Sequence, residues 1–86
     1  MKIYNYQGKA NLCGERVRQA RQALGLSQED LASKVQLSGV GLEQKALSRI
    51  ERGLRVVADY ELLKLAQALE VSPLWLLQEN DEKLES

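Results

Sequence analysis

Histidine is absent, cysteine and proline occur once each, and twelve basic side chains are balanced by twelve acidic ones. Each shortage removes a class of chemistry. Without histidine the commonest metal ligand and the side chain that titrates near neutrality are missing. Cys13 is the sole thiol, so no internal disulfide can form and nothing signals an oxidising compartment. It falls on an apolar stripe, which makes it a small core residue rather than a nucleophile. No glycine-rich phosphate loop and no cluster of metal-ligand residues is present, so an enzyme is not expected and neither is a metal or a cofactor. No stretch approaches the ~20 apolar residues of a membrane span, and the amino terminus lacks the basic-then-apolar order of a secretory signal. The expected location is the cytoplasm.

What is present is enough for one small core. Eighty-six residues stand near the size at which only about 60–65% of the unfolded chain's surface is buried on folding. The expected organisation is an arm over 1–11, a domain over 12–78 and an acidic tail over 79–86, with no sensor or peptidase domain. Zero net charge argues at first against a nucleic-acid partner. The distribution argues the other way. Residues 1–25 carry Lys2, Lys9, Arg16, Arg18 and Arg21 against Glu15, residues 26–53 are balanced, and residues 54–86 set three cations against seven carboxylates. A chain basic at one end and acidic at the other can orient on a phosphate backbone although its total charge attracts little.

The pattern of apolar residues is helical almost throughout. Residues 1–11 have β-prone side chains without periodicity and read as an irregular arm, with pairing to a partner chain, or wrapping onto DNA through Lys2 and Lys9, as alternatives. A first helix runs from about Leu12 or Gly14 to Leu24, with Cys13, Val17, Ala20 and Leu24 on one stripe and Gly25 as its left-handed stop. Ser27 caps a second helix whose third position is Asp30, close to a capping box, and Leu31, Ala32 and Val35 face inward. In the third helix Leu47, Ile50 and Leu54 face inward, leaving Gln44, Lys45, Ser48, Arg49 and Arg52 outward. A fourth helix capped by Asp59 buries Leu62, Leu65, Ala66 and Leu69, and Ser72-Pro73 opens a fifth. There Trp75 and Leu76 complete the core, while Leu74 and Leu77 are harder to hide.

The stretch between the second and third helices admits two registers. A turn of about three or four residues would start the third helix near Gly39, put Gly41 in its interior and bury Lys45. Glycine costs about 1 kcal/mol in a helix interior and a buried lysine costs several. The longer turn, 36–42, is therefore expected, with the third helix from about Glu43 to Arg52, Gly53 as its stop, and Leu37, Val40 or Leu42 packing beneath the loop.

Leu26-Ser27-Gln28-Glu29-Asp30-Leu31-Ala32 and Ala46-Leu47-Ser48-Arg49-Ile50-Glu51-Arg52-Gly53, flanked by Arg18–Leu26 and Leu62–Leu77, resemble the phage-repressor and Cro type of helix-turn-helix proteins. The resemblance runs from about Gly14 to Leu77, apart from the lengthened turn. It implies an all-α, compact five-helix bundle of the lambda-repressor-like DNA-binding type. It further implies a small transcriptional regulator, most simply a repressor, that occupies a double-stranded DNA operator as a homodimer. By the same resemblance Gln44, Lys45 and Arg49 take base-reading positions, and Gln28, Arg52 and Arg55 take phosphate positions. Arg21 and Glu51 match an ion pair linking the first and third helices, and Leu74 and Leu77 fall at the dimer contact. The chemistry is apt, because glutamine can pair with adenine and a cation with guanine. The plain alternative for these side chains is a solvated polar face. An antitoxin-like role, with a protein partner as well as an operator, is the alternative function.

Overall fold

A computed structural model describes residues 5–78; Lys2 and the acidic tail lie outside the described residues. Five helices follow in order: α1 Gly14–Ala23, α2 Gln28–Leu37, α3 Gln44–Glu51, α4 Asp59–Leu69 and α5 Pro73–Leu76. α1 packs against α3, α4 and α5, and α2 against α3 and α4. The core formed between them includes Val17, Leu31, Val35, Leu42, Leu47, Ile50, Leu65, Leu69 and Leu76. Cys13 is buried among them, and burial pushes its thiol up to about 11, which keeps it protonated and inert.

The helix ends have local causes. Gly25 is left-handed (φ 72°), so that its own N–H and that of Leu26 turn back to the Gln22 and Arg21 carbonyls, each at 3.0 Å. Gly53 closes α3 the same way, with bonds to Ile50 and Arg49. At the start of α2 the Ser27 hydroxyl accepts from the Asp30 N–H while the Asp30 carboxylate accepts from the Ser27 N–H, both at 2.9 Å. The Ser27 N–H, and after it the Ser27 side chain, hold the Asp30 carboxyl below its ordinary value. α4 differs from expectation: Ala58 is the cap and Asp59 the first helical residue. Glu61 makes the reciprocal half of a capping box, accepting from the Ala58 N–H at 3.0 Å, while the alanine offers no side-chain acceptor to the first turn.

The longer register is the one adopted, over residues 38–43. Leu42 is its anchor and has no exposed surface, whereas Leu37 ends α2 with 89% of its surface exposed. Gln36 Nε2 latches the loop by donating to the Leu42 carbonyl at 3.0 Å. Two residues expected on inward stripes lie outside. Leu24 is exposed because it sits in the cap turn beyond α1, and Leu54 is 54% exposed because Gly53 ends α3 before the stripe reaches it. Leu62 and Trp75 are only half-buried.

Over its described residues, 5–11, the arm forms one tight turn and no strand of its own. Tyr6 and Lys9 exchange backbone bonds of 2.7 and 3.1 Å across a turn in which Gln7 (φ 54°) and Gly8 (φ 84°) are both left-handed. Asn11 then joins α1 to the far end of α3. Its Oδ1 accepts from the Gly14 N–H at 2.9 Å, and its Nδ2 donates to the carbonyls of Ile50 (3.1 Å) and Arg55 (2.8 Å). A Cβ on Gly14 would run into the Ile50 carbonyl oxygen, so α1 and α3 meet backbone to backbone there. At the other side of α1, Arg16 donates to the Trp75 carbonyl at 2.8 Å and stacks 4.6 Å above the indole centroid, fastening α5.

Candidate nucleic-acid interface

A chain of side-chain hydrogen bonds fixes α3 from beneath. The Arg21 guanidinium on α1 grips Glu51 on α3 through both carboxylate oxygens, at 2.7 and 3.0 Å, and its third nitrogen donates to the Leu26 carbonyl at 2.9 Å. The pair is sheltered, with 12% of the arginine and 3% of the glutamate side chain exposed. A carboxylate so far from water is tolerable only when its oxygens are fully bonded. Gln28 supplies the remaining donor, Nε2 to Glu51 Oε1 at 3.0 Å. Its Oε1 accepts in turn from Gln44 Nε2 at 2.6 Å. The charge-assisted bonds to Glu51 push the Arg21 guanidinium further above its ordinary value.

Gln44 is thereby held at the first turn of α3, on its outward face. Lys45 and Arg49 are exposed on the same short helix and Arg52 at its cap, and Ala46 and Ser48 are half-buried beside them. Arg49 leans over the helix end, donating to the Leu54 carbonyl at 3.3 Å, and Arg52 donates to the Ser48 carbonyl at 3.4 Å. Arg55, expected at a phosphate, is committed elsewhere. It binds Glu61 through both terminal nitrogens, at 2.8 and 3.1 Å, and also the Val56 carbonyl. That pairing holds Glu61 below, and Arg55 above, its ordinary value. Leu74 is exposed on α5, and Leu77 is half-buried just beyond it. The arrangement offers amide and cationic groups on one helix face, with Gln44 aimed by the inner layer of bonds and the cations exposed beside it.

The helix-turn-helix family model matches residues 17–76. The chain belongs to that family. This helix-turn-helix protein is of the phage-repressor type, and three solved structures show the range of its likeness. It is 43% identical to the restriction-modification controller protein C.AhdI from Aeromonas hydrophila, over 73% of this chain and 88% of that one, with a TM-score of 0.65. It is 34% identical to the P22 c2 repressor protein, solved in complex with a synthetic operator, over 81% of this chain and 98% of that one, TM-score 0.69. A hypothetical transcription factor from Neisseria, 28% identical, spans 99% of this chain and 92% of its own, TM-score 0.71. Comparison with curated protein sequences finds no match. Among the described residues no helix is long and apolar enough to cross a membrane.

Asn11, Gly14 and Arg16 position this helix-turn-helix yet are absent from the sequence expectations as functional residues. Asn11 and Arg16 bond backbone carbonyls, and a carbonyl is carried by every residue, so no pairing pattern betrays them. Gly14 follows the arm closely enough that it reads as a helix start rather than as a contact.

Proposed function

We propose that the chain is a sequence-specific double-stranded DNA-binding transcriptional regulator that inserts α3 into the major groove. The observation that carries this reading is the bonded relay Arg21–Glu51–Gln28–Gln44, which ends on the exposed first turn of α3. Gln44, Lys45 and Arg49 would read base edges, while Gln28, Arg52 and, through its remaining Nε, Arg55 would contact phosphates. Because Glu61 already matches its charge, Arg55 is the weakest of the three phosphate contacts. A short reading helix needs doubling, so two chains would meet at α5 and the preceding loop, with Leu74 and Leu77 in the contact. The operator would then be near-palindromic, with half-sites about 34 Å apart. Likeness to a repressor solved with its operator supports repression by occupancy.

Enrichment of bound duplexes from a random-sequence pool tests the proposal. A near-palindromic consensus is expected, shifted by Gln44→Ala or Arg49→Ala at single positions and weakened there by about 1–3 kcal/mol. Recovery of no preferred sequence would defeat it. A second, protein-partner reading draws on the SinR protein/SinI protein complex, 36% identical over 86% of this chain with a TM-score of 0.65. It also draws on the apolar side chains of Val56, Tyr60 and Leu63 that α4 and its approach leave exposed. Under that reading the chain is antitoxin-like and binds a protein besides regulating its own operon.

A further inference from the structure

We propose that Lys9, delivered by the amino-terminal turn, is a further contact to the DNA backbone and completes a cationic cradle at the carboxyl end of α3. The inference rests on the DNA-binding reading above and extends it to a segment outside the helix-turn-helix. The turn Asn5–Lys9 is closed by its own backbone bonds and by Asn5 Oδ1, which accepts from the Gly8 N–H at 2.8 Å. It is moored to the end of α3 by the Ala10 N–H, which donates to the Gly53 carbonyl at 2.8 Å. The aliphatic stem of Lys9 lies across Gly53 so closely that a Cβ there would stand 2.9 Å from its Cδ. Gly53 therefore serves two ends, the left-handed stop of α3 and the seat of Lys9.

Three cationic residues touch this one turn. Arg52 belongs to it, Arg49 folds onto the Leu54 carbonyl, and Lys9 crosses Gly53. None of them forms a salt bridge among the described residues, where the ion pairs are Arg21–Glu51 and Arg55–Glu61. Glu15 and Glu51 line the same cavity as Lys9, but Glu51 is engaged by Arg21 and Glu15 makes no bridge. Nor is Lys9 required to satisfy the helix end. The Ser48, Arg49 and Ile50 carbonyls already accept from Arg52, Leu54 and Gly53 N–H groups, and Ile50 from Asn11 as well. Lys9 makes no salt bridge among the described residues, so its charge still calls for an anion, which a polyanion lying along the end of α3 would supply. The regular negative charge of a duplex backbone fits that demand at the end of a helix whose first turn faces the bases.

The test uses the full chain, a duplex enriched by the unaltered protein, and affinity measured across a salt series. Lys9→Gln is expected to reduce the slope of log affinity against log salt by about 0.9, so that a fourfold rise in salt costs it about 3.5-fold less affinity than the parent loses. Its sequence preference should be unchanged, and Lys9→Arg should restore the slope. Arg49→Ala, run alongside, should instead alter sequence preference. An unchanged slope in Lys9→Gln, with preference retained, overturns the Lys9 contact and leaves the DNA reading standing. A lower melting temperature with an unchanged slope also overturns it, by assigning Lys9 to the helix end alone. Failure of the unaltered protein to enrich any duplex overturns the DNA reading itself.

Discussion

The half of the molecule built from α1, α2 and α3 and the half built from α4 and α5 share one apolar core but differ in the polar bonds added to it. The first is organised around a sheltered polar relay: Arg21 grips Glu51 across 30 residues of chain, and Gln28 and Gln44 extend the bonds outward. Its helices end on left-handed glycines, Gly25, Gly39 and Gly53. The second half also has an Arg–Glu pair, but a local one. Arg55 and Glu61 are six residues apart, with 30% and 10% of their side chains exposed. Its long helix closes on a left-handed glutamate, Glu70 (φ 62°). Leu65, Ala66, Leu69 and Leu76 are its share of the common core. The contrast separates two tasks: directional bonds set where a helix points, while apolar packing is indifferent to small rotations.

The largest effect should come from breaking the relay. Glu51→Ala leaves the Arg21 guanidinium and the Gln28 amide without their acceptor in a sheltered site, and a loss of about 3 kcal/mol is expected in urea unfolding. A double-mutant cycle of Glu51→Gln with Arg21→Gln should give a coupling above about 1 kcal/mol, and the cycle of Glu61→Gln with Arg55→Gln a smaller one, because Arg55 keeps 30% of its side chain exposed where Arg21 keeps 12%. Equal couplings would erase the distinction between the two halves. Gly14→Ala follows at about 2 kcal/mol, because the added methyl must push α1 away from the Ile50 carbonyl of α3. A crystal structure of that variant should show the Arg21–Glu51 bonds lengthened.

The pair in the second half is best read through pH. Glu61 is held below its ordinary carboxylate value, first by its bonds to Arg55. A depressed carboxylate contributes stability that is complete above the unfolded value of about 4.5 and is lost as pH falls through the lower folded value. Replacing Arg55 with alanine should therefore cost up to about 1 kcal/mol at neutral pH, and progressively less as the solution is acidified below about 4.5. Thermal melts of both proteins between neutral and acidic pH give the comparison. A difference that grows on acidification would contradict the assignment.

How legible each half was follows from the kind of interaction involved. Ser27, Gly25, Gly53 and Ser72-Pro73 mark helix ends through chemistry contained within a few neighbouring residues, and all four act as expected. The longer turn could be chosen because Gly41 and Lys45 made the shorter one costly, although which leucine would anchor it stayed open until Leu42 was seen in the core. Leu54 misled because a heptad spacing continues on paper past the glycine that stops the helix. Periodicity said nothing of the pairing of Arg21 with Glu51, which entered through resemblance. For Arg55 the outward cation was visible, but not the carboxylate brought beside it by the start of α4. Asn11 was opaque, since its partners are main-chain carbonyls far along the chain.

The smallest effect should be a gain. Glu70 adopts a left-handed backbone at the end of α4, where its N–H and that of Val71 return to the Gln67 and Ala66 carbonyls at 3.2 and 3.0 Å. That conformation costs an L residue about 1–2 kcal/mol, and glycine adopts it without the Cβ clash. The side chain is exposed and makes no hydrogen bond among the described residues, so little is forfeited by removing it. Its negative charge also stands at the negative end of a helix, where it is unfavourable. Glycine carries its own entropic cost in the unfolded chain, which offsets part of the gain. A net stabilisation of about 0.5–1 kcal/mol is expected for Glu70→Gly, or roughly 2–8 °C in melting temperature for a domain of this size. Glu70→Gln separates the causes, because it removes the charge and keeps the Cβ; it should recover only a few tenths of a kcal/mol. Gly53→Ala, at the equivalent stop of α3, should move in the opposite direction by more, since the methyl meets both the left-handed backbone and the Lys9 stem. A destabilised Glu70→Gly protein would mean that the glutamate side chain holds something in the second half that its exposure conceals.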